Sequence, residues 1–451
     1  MEGFTQRLAE FAADLTYEDL PSDVVDSAKE KLVDYIAVAV AGIKGGKLFS
    51  LLLPYMKERG EKGVSHAIGT GDRFSSATAA LLNGTAAHSI DLDDGHREAL
   101  GHPGVAVWSA VLAEGEARRR SGKEAILAAV VGYETFVRLG KTLNPGIITR
   151  GFHTTGVCGS LAAASAAGKL ISLNASQTAR ALGIAGLFSS GLMIVTQDGA
   201  MMKPLNAGRA AENGILAAEM TERGAEGAGA VVESRDGFAQ AFSGLLPEES
   251  RLDDLGARYG IKECYIKYYP ACRHCHAAID AAFALRKKIR PEDVKEIRIR
   301  TYPNALQLTL KESMPEDDAA TRFNIAFAVA LALATGRADE ESFSMDSVRN
   351  PLIRDLFGKS KVVNDPSLES REKNIRGVSI EITAKSGETV AETVPLPRGE
   401  PENPGDGEDL LRKFDGCIGS FWDTKKKERV FSAVRNLERL DDLGTLLQLM
   451  E

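Results

Sequence analysis

The sequence predicts a mainly α protein: a large all-helical domain with a smaller α+β domain inserted into it. Three observations carry this prediction. From about residue 4 to 260, apolar residues recur at helical spacing almost without a break. After about Tyr265, period-2 alternation enters between the helices. The final stretch, KKKERVFSAVRNLERLDDLGTLLQLM, returns to helix. The expected boundaries are 1–264 for the first helical segment, 265–398 for the α+β domain, and 399–451 for a C-terminal segment that rejoins the helical domain. Clefts between domains are common ligand sites.

The elements follow in order. Asp23 to Val40 places Val24, Ala28, Leu32, Tyr35 and Ile36 on one stripe. Ser75 and Ser76 are N-cap candidates for a helix through Ala87. Further helices are expected at about 104–120, 123–143, 155–171, 176–192 and 208–223, with Gly122 and Gly224 as stops. Stretches such as GSLAAASAAGKL are rich in small residues, which let helix backbones pack closely. In the second half, Ala277 to Lys288 and Asn324 to Thr335 read as helices, and VKEIRIRTY (294–302) as a half-buried strand. Residues 378–384 and 389–396 alternate around Lys385-Ser386-Gly387-Glu388, a hairpin signal. The Pro-, Gly- and acid-rich RGEPENPGDGED (398–409) reads as a linker.

Composition narrows the function classes. Of 451 residues, 44% are hydrophobic and 26% charged, an ordinary soluble globular balance. The net charge is −8 and no long basic tract stands out, so no nucleic-acid partner is expected. The longest apolar run, Ile325 to Ala334, is too short to span a bilayer, so no membrane association is expected. MEGFTQRLAEFAADL lacks the basic start and apolar run of a signal peptide. Together with an odd number of scattered cysteines, five, this points to a cytoplasmic protein with reduced thiols.

Several motifs bear on chemistry. KYYPACRHCH (267–276) ends in C-x-x-C-H, the spacing of c-type haem attachment, yet nothing directs export. As a zinc site it crowds its ligands into one stretch, and adjacent Cys275 and His276 would strain to reach one ion. Cys272 and Cys275 read as small buried residues, leaving His276 to be explained. Gly69-Thr70-Gly71-Asp72 is a lone GxG without a preceding parallel-strand pattern, and no phosphate-binding GxxxxGK[ST] is present.

The densest reactive cluster is NGTAAHSIDLDDGH (83–96) followed by GHP (101–103). Asp91 and Asp94 would share a face if the helix continues. Such an acid run has two readings: solvated surface near a helix end, or acid–base equipment, since histidine exchanges protons near neutral pH. GFHTTG (151–156) puts His153 just before a small-residue helix, and KPLNAGR (203–209) puts Lys203 and Arg209 around a tight turn at the start of another. Helix N-terminal amides with nearby cations make a ready carboxylate site. A magnesium site of the paired Asp-rich type needs two facing acidic motifs, and only one is present.

Taken in order, NGTAAHSIDLDDGH with GHPG, GFHTTG, KPLNAGRAAENG and KYYPACRHCHAAID resemble the MmgE/PrpD family over nearly the whole chain. That family includes 2-methylcitrate dehydratase, cis-aconitate decarboxylase and iminodisuccinate epimerase. The resemblance implies a helical domain with a smaller α+β lid domain, a homodimer, no metal or organic cofactor, and a small anionic carboxylate as substrate. Carried over by position, the active-site residues are Asp91, His102, His153, Lys203 and His276, with Gly95, His96, Arg209 and Phe327 as substrate-binding candidates. By the resemblance, the C-x-x-C-H spacing is accidental. Decarboxylase-like members have a Thr where this chain has Gly95, followed by His96, and a lid-helix Tyr where it has Phe327. A changed donor set implies a changed substrate. The expectation is therefore a cofactor-independent lyase or isomerase, dehydratase-like or epimerase-like. The alternatives are a cis-aconitate decarboxylase-like enzyme and a catalytically silent binding protein that keeps the fold.

Overall fold

The computed structural model of the chain describes residues 3–196, 200–370 and 375–451. It is mainly helical and divides into two units, Met1–Ile266 with Leu410–Glu451, and Lys267–Asp409.

The first unit opens with Phe4–Asp14 (α1), Ser22–Gly45 (α2), Lys47–Glu58 (α3), a short ribbon of Ser65–His66 (β1) against Arg73–Phe74 (β2), and Ser76–Ala87 (α4). It continues with Gly104–Ala117 (α5), Gly122–Leu143 (α6), Gly146–Thr149 (α7), Thr154–Leu170 (α8), Ala175–Phe188 (α9), Leu205–Glu222 (α10) and Phe238–Ser243 (α11). Helix α8 lies at the centre, packed by α5, α6, α9 and α10, with every residue but Lys169 buried. A helix enclosed on all sides needs small or apolar residues all round, and TTGVCGSLAAASAAGKL supplies them.

A close crossing joins α4 to α10. A Cβ added at Gly84 would stand 2.9 Å from the Gly208 Cα, and one at Gly208 would overlap the Leu81 carbonyl oxygen and the Thr85 hydroxyl. Only glycine fits at this approach, and it brings the end of α4 beside the start of α10.

Two local expectations fail in this unit. Gly122 does not stop a helix; it begins α6, because Ser121 and Glu124 form a capping box and the Gly122 amide donates to the Leu440 carbonyl at 2.8 Å. The helix expected to reach residue 192 stops at Phe188. Ser75 does cap α4, accepting from the Thr78 amide at 3.3 Å. No single described helix is long and apolar enough to cross a membrane. The pair α2 and α3, bent by 83°, passes on length and composition together, and most of α2 is buried.

The second unit holds Arg273–Arg286 (α12), Val294–Thr301 (β3), Pro303–Thr309 (α13), Asp318–Thr321 (α14), Ile325–Thr335 (α15), Met345–Arg349 (α16) and Pro351–Gly358 (α17). It is completed by Ser360–Asn364 (β4), a ribbon of Glu369–Ser370 (β5) and Ile375–Arg376 (β6), Val378–Ala384 (β7) and Thr389–Val394 (β8). The four-stranded sheet runs β4-β3-β7-β8, parallel between β3 and β4 and antiparallel elsewhere. Strand β7 buries Val378, Ile380, Ile382 and Ala384 in strict alternation, so one face joins the core formed with α12, α15 and α17. Asn324 caps α15, accepting from the Phe327 amide at 3.1 Å.

The stretch 398–409 is not a free linker. The Arg398 amide donates to Asp280 Oδ2 at 2.9 Å, and fully buried Glu400 pairs with Arg273 at 2.9 Å, both within the second unit. The chain passes back at Asp409 within Gly407–Ile418 (α18), and Thr424–Arg435 (α19) and Gly444–Leu449 (α20) complete the first unit.

Candidate active site

Four helix ends of the first unit deliver the side chains. Helix α4 ends at Ala87 and hands over His88 as its C-cap; α5, α8 and α10 begin next to His102, His153 and Lys203. The acid run does not continue the helix. Asp91 sits at φ +55°, a left-handed conformation that Asp tolerates better than most residues, so Asp91 and Asp94 do not share a helical face.

The loop is fixed from inside. Asp94 accepts from the Tyr133 hydroxyl at 2.7 Å and from the Gly104 amide at 3.0 Å, tying the loop to α6 and to the first amide of α5. Lys413, buried in α18, donates to the Leu92 carbonyl at 2.7 Å and pairs with buried Asp34 of α2. Asp93 and Asp94 are 1% and 3% exposed, so the solvated-surface reading fails for both.

Asp93 stands between two histidines. Its Oδ2 lies 2.9 Å from His88 Nδ1 and 3.0 Å from His102 Nδ1. His102 Nδ1 also lies 2.6 Å from the Asp94 carbonyl oxygen. An atom facing two acceptors is a donor, so Nδ1 of His102 carries a hydrogen, and Nε2 is the position left to exchange a proton. The His88 ring is 5.1 Å from that of His102 and stacks at 5.7 Å on His153. His153 has the opposite tautomer: with the Asn206 amide nitrogen 3.1 Å from its Nδ1, that atom accepts and Nε2 holds the hydrogen. Lys203 Nζ lies 2.9 Å from Asp91 Oδ1, and both side chains keep some exposure.

The charges follow from burial and neighbours. Burial raises the Asp93 carboxyl, but His88 and His102 outweigh it and hold it well below the usual range. Burial lowers His88 against the pull of Asp93. Burial, then His88 and Lys203, hold His153 well below its ordinary value, so it stays a neutral N–H donor. Burial pushes Asp94 up to about 6. The cluster therefore combines an ionised buried carboxylate, a His102 ring with Nε2 left to exchange a proton, a neutral His153 N–H and the Lys203 side chain. It can accept a proton and bind an anion side by side.

His88, Asp93 and His102 offer ligand atoms within 4.8 Å of one another. In this arrangement the Nδ1 atoms of both rings face Asp93, and that of His102 also the Asp94 carbonyl, as hydrogen-bond donors.

The other expected residues are placed as follows. His276 belongs to the second unit, fully buried in α12; Arg273 donates to its Nδ1 at 2.9 Å, and its Nε2 lies 3.2 Å from the Ala271 carbonyl. Cys272 and Cys275 lie in that unit's apolar core. His96 has both ring nitrogens engaged: Nδ1 accepts from the Glu98 and Ala99 amides, and Nε2 faces Glu263 at 3.2 Å. That side chain organises the loop. Gly95 bridges Tyr265, and a Cβ there would overlap the Tyr265 hydroxyl. Arg209 is half-exposed and pairs with Glu212. Phe327 is fully buried in the second unit's core against Phe343. Sequence reasoning did not single out Asp93, His88 or Asn206 by role. All three lie inside the quoted motifs, but only tertiary contact shows which carboxylate meets which ring.

Two family models match the chain: the MmgE/PrpD N-terminal domain over residues 6–249 and the MmgE/PrpD C-terminal domain over residues 269–439. Similar proteins include a cis-aconitate decarboxylase of Aspergillus terreus (strain NIH 2624 / FGSC A1156), 29% identical over 475 residues that cover 99% of this chain and 96% of the relative. The cis-aconitate decarboxylases of Homo sapiens and Mus musculus are 28% and 27% identical, each covering 100% of this chain and 95% and 94% of their own.

Proposed function

The chain belongs to the MmgE/PrpD family, and on that premise we propose that it is a lyase or isomerase that moves a proton at a carbon next to a carboxylate of a small di- or tricarboxylic acid. The observation that carries this reading is the His102 ring, held by Asp93 and the Asp94 carbonyl with its Nε2 lone pair unspent.

Such chemistry builds negative charge on the carbon and its carboxylate, and it must be met by cations and donors. Lys203 and the Nε2–H of His153 bind the substrate carboxylate and take up that charge. His102 Nε2 removes the proton, and the resulting imidazolium keeps its Nδ1–H on Asp93. A dehydration then needs an acid for the departing hydroxyl, and an epimerisation needs a group for the opposite face. His276, which the resemblance puts in that part, is fully buried with its Nε2 3.2 Å from the Ala271 carbonyl, so the second group is left open here.

Within the class we favour dehydration or epimerisation. At Gly95, the position where decarboxylase-like members are expected to carry Thr, the Tyr265 phenol leaves no room for a side chain. Decarboxylation is the second reading, favoured by the names of the relatives. The same site would stabilise the carbanion left by loss of CO₂. Turnover of cis-aconitate, 2-methylcitrate, citrate and iminodisuccinate, followed by CO₂ release, olefin absorbance and optical rotation, separates the readings. Olefin formation or racemisation is expected. CO₂ release alone would establish the second reading, and no turnover of any would favour a silent binding protein.

A further inference from the structure

We propose that Asp93 is a positioning residue that, through one carboxylate oxygen, fixes the tautomer of His88 and, together with the Asp94 carbonyl, that of His102, and that it supplies the charge facing the imidazolium His102 becomes. The inference rests on the reading of His102 as the base.

Asp93 Oδ2 alone meets both imidazoles, at 2.9 Å from His88 Nδ1 and 3.0 Å from His102 Nδ1. Its other oxygen, Oδ1, is buried with no partner, and so is Nε2 of His88. Buried polar atoms are rarely left unsatisfied, and those that are mark strain, function or water. Here they leave the pair with unfilled acceptor sites and a single donor direction. Both Nδ1 atoms must carry hydrogen, because the atom they share can only accept. The carbonyl of Asp94 adds a second acceptor for His102 and none for His88. His102 is thus locked more firmly, and it is the ring of the two with some exposure, 15% against 0% for the side chains. His88 supplies a second N–H that keeps the buried carboxylate ionised and hydrogen-bonded, and its ring spaces His102 from His153. An Asn at 93 is near-isosteric but neutral: the Asp94 carbonyl still holds the hydrogen on Nδ1 of His102, so what His102 loses is the charge facing its imidazolium, while His88, with no second acceptor, is free to reverse.

The test uses the full-length protein with ¹⁵N-labelled histidine. Long-range ¹⁵N–¹H correlation spectra report which nitrogen of each ring is protonated, and His88 and His102 variants assign the signals. The wild type is expected to show hydrogen on Nδ1 of His88 and His102. Asp93→Asn is expected to move the His88 hydrogen to Nε2, to leave that of His102 on Nδ1, and to lower kcat by at least about 10²-fold while KM holds. A wild-type His102 with hydrogen on Nε2, or an Asp93→Asn protein with kcat within about tenfold of wild type, overturns the proposal. If Asp93→Asn does not fold, the wild-type spectrum decides alone. If the wild type turns over no substrate, the functional reading fails while the tautomers still stand or fall in the spectra.

Discussion

Asp93 and Asp94 are neighbours in the chain with opposite electrostatic fates. Two imidazoles hold Asp93 ionised, whereas Asp94, facing a phenol and an amide, is pushed by burial up to about 6. A carboxyl that binds its proton more tightly folded than unfolded costs stability once ionised. That cost is absent below about pH 4 and fully present above about pH 6, roughly 3 kcal/mol for a shift of about two units. Asp94→Asn can still accept from the Gly104 amide. Its stability relative to wild type should therefore rise between pH 4 and pH 7 by up to about 3 kcal/mol, read by urea unfolding at each pH. Parallel profiles would mean that Asp94 is not desolvated as described. At this scale the sequence revealed which residues are chemical, but not their pairing. DLDD offers three equivalent carboxylates, and only the left-handed turn at Asp91 sends one to Lys203, one to two histidines and one to Tyr133.

The elements turn these residues into a site by ending where they do. Most of the long helices were legible because their periodicity is strong and their caps are local, as at Ser75 and Asn324. Gly122 misled because a glycine beside a capping box can open a helix when a carbonyl, here that of Leu437, leaves no room for a Cβ. The role of α18 was hidden for another reason: Lys413 reaches Asp34 and Leu92 across more than 300 positions of sequence. That lysine braces the loop from the C-terminal segment. Lys413→Met would leave Asp34 buried without its partner and should cost about 3–5 kcal/mol, with a matching fall in the urea midpoint. A loss below about 1 kcal/mol would show that the pair behaves like an exposed one.

At the scale of the whole molecule, the chain forms two units, and the cluster of Asp91, His102, His153 and Lys203 belongs entirely to the first. The change of character near Tyr265 was legible because helical and strand periodicities differ so plainly. The return of the helical tail was expected, but its point was not legible, because 398–409 has linker composition yet is held by Asp280 and Arg273. Proton transfer by His102 at a carbon next to a carboxylate is read by proton NMR in D₂O, with wild type and His102→Asn each incubated with iminodisuccinate, 2-methylcitrate, citrate and cis-aconitate. Deuterium at the carbon next to a carboxylate, or a new olefin, is expected for at least one substrate with wild type, and at a rate at least about 10²-fold lower for the variant. Equal exchange by the two proteins would contradict it.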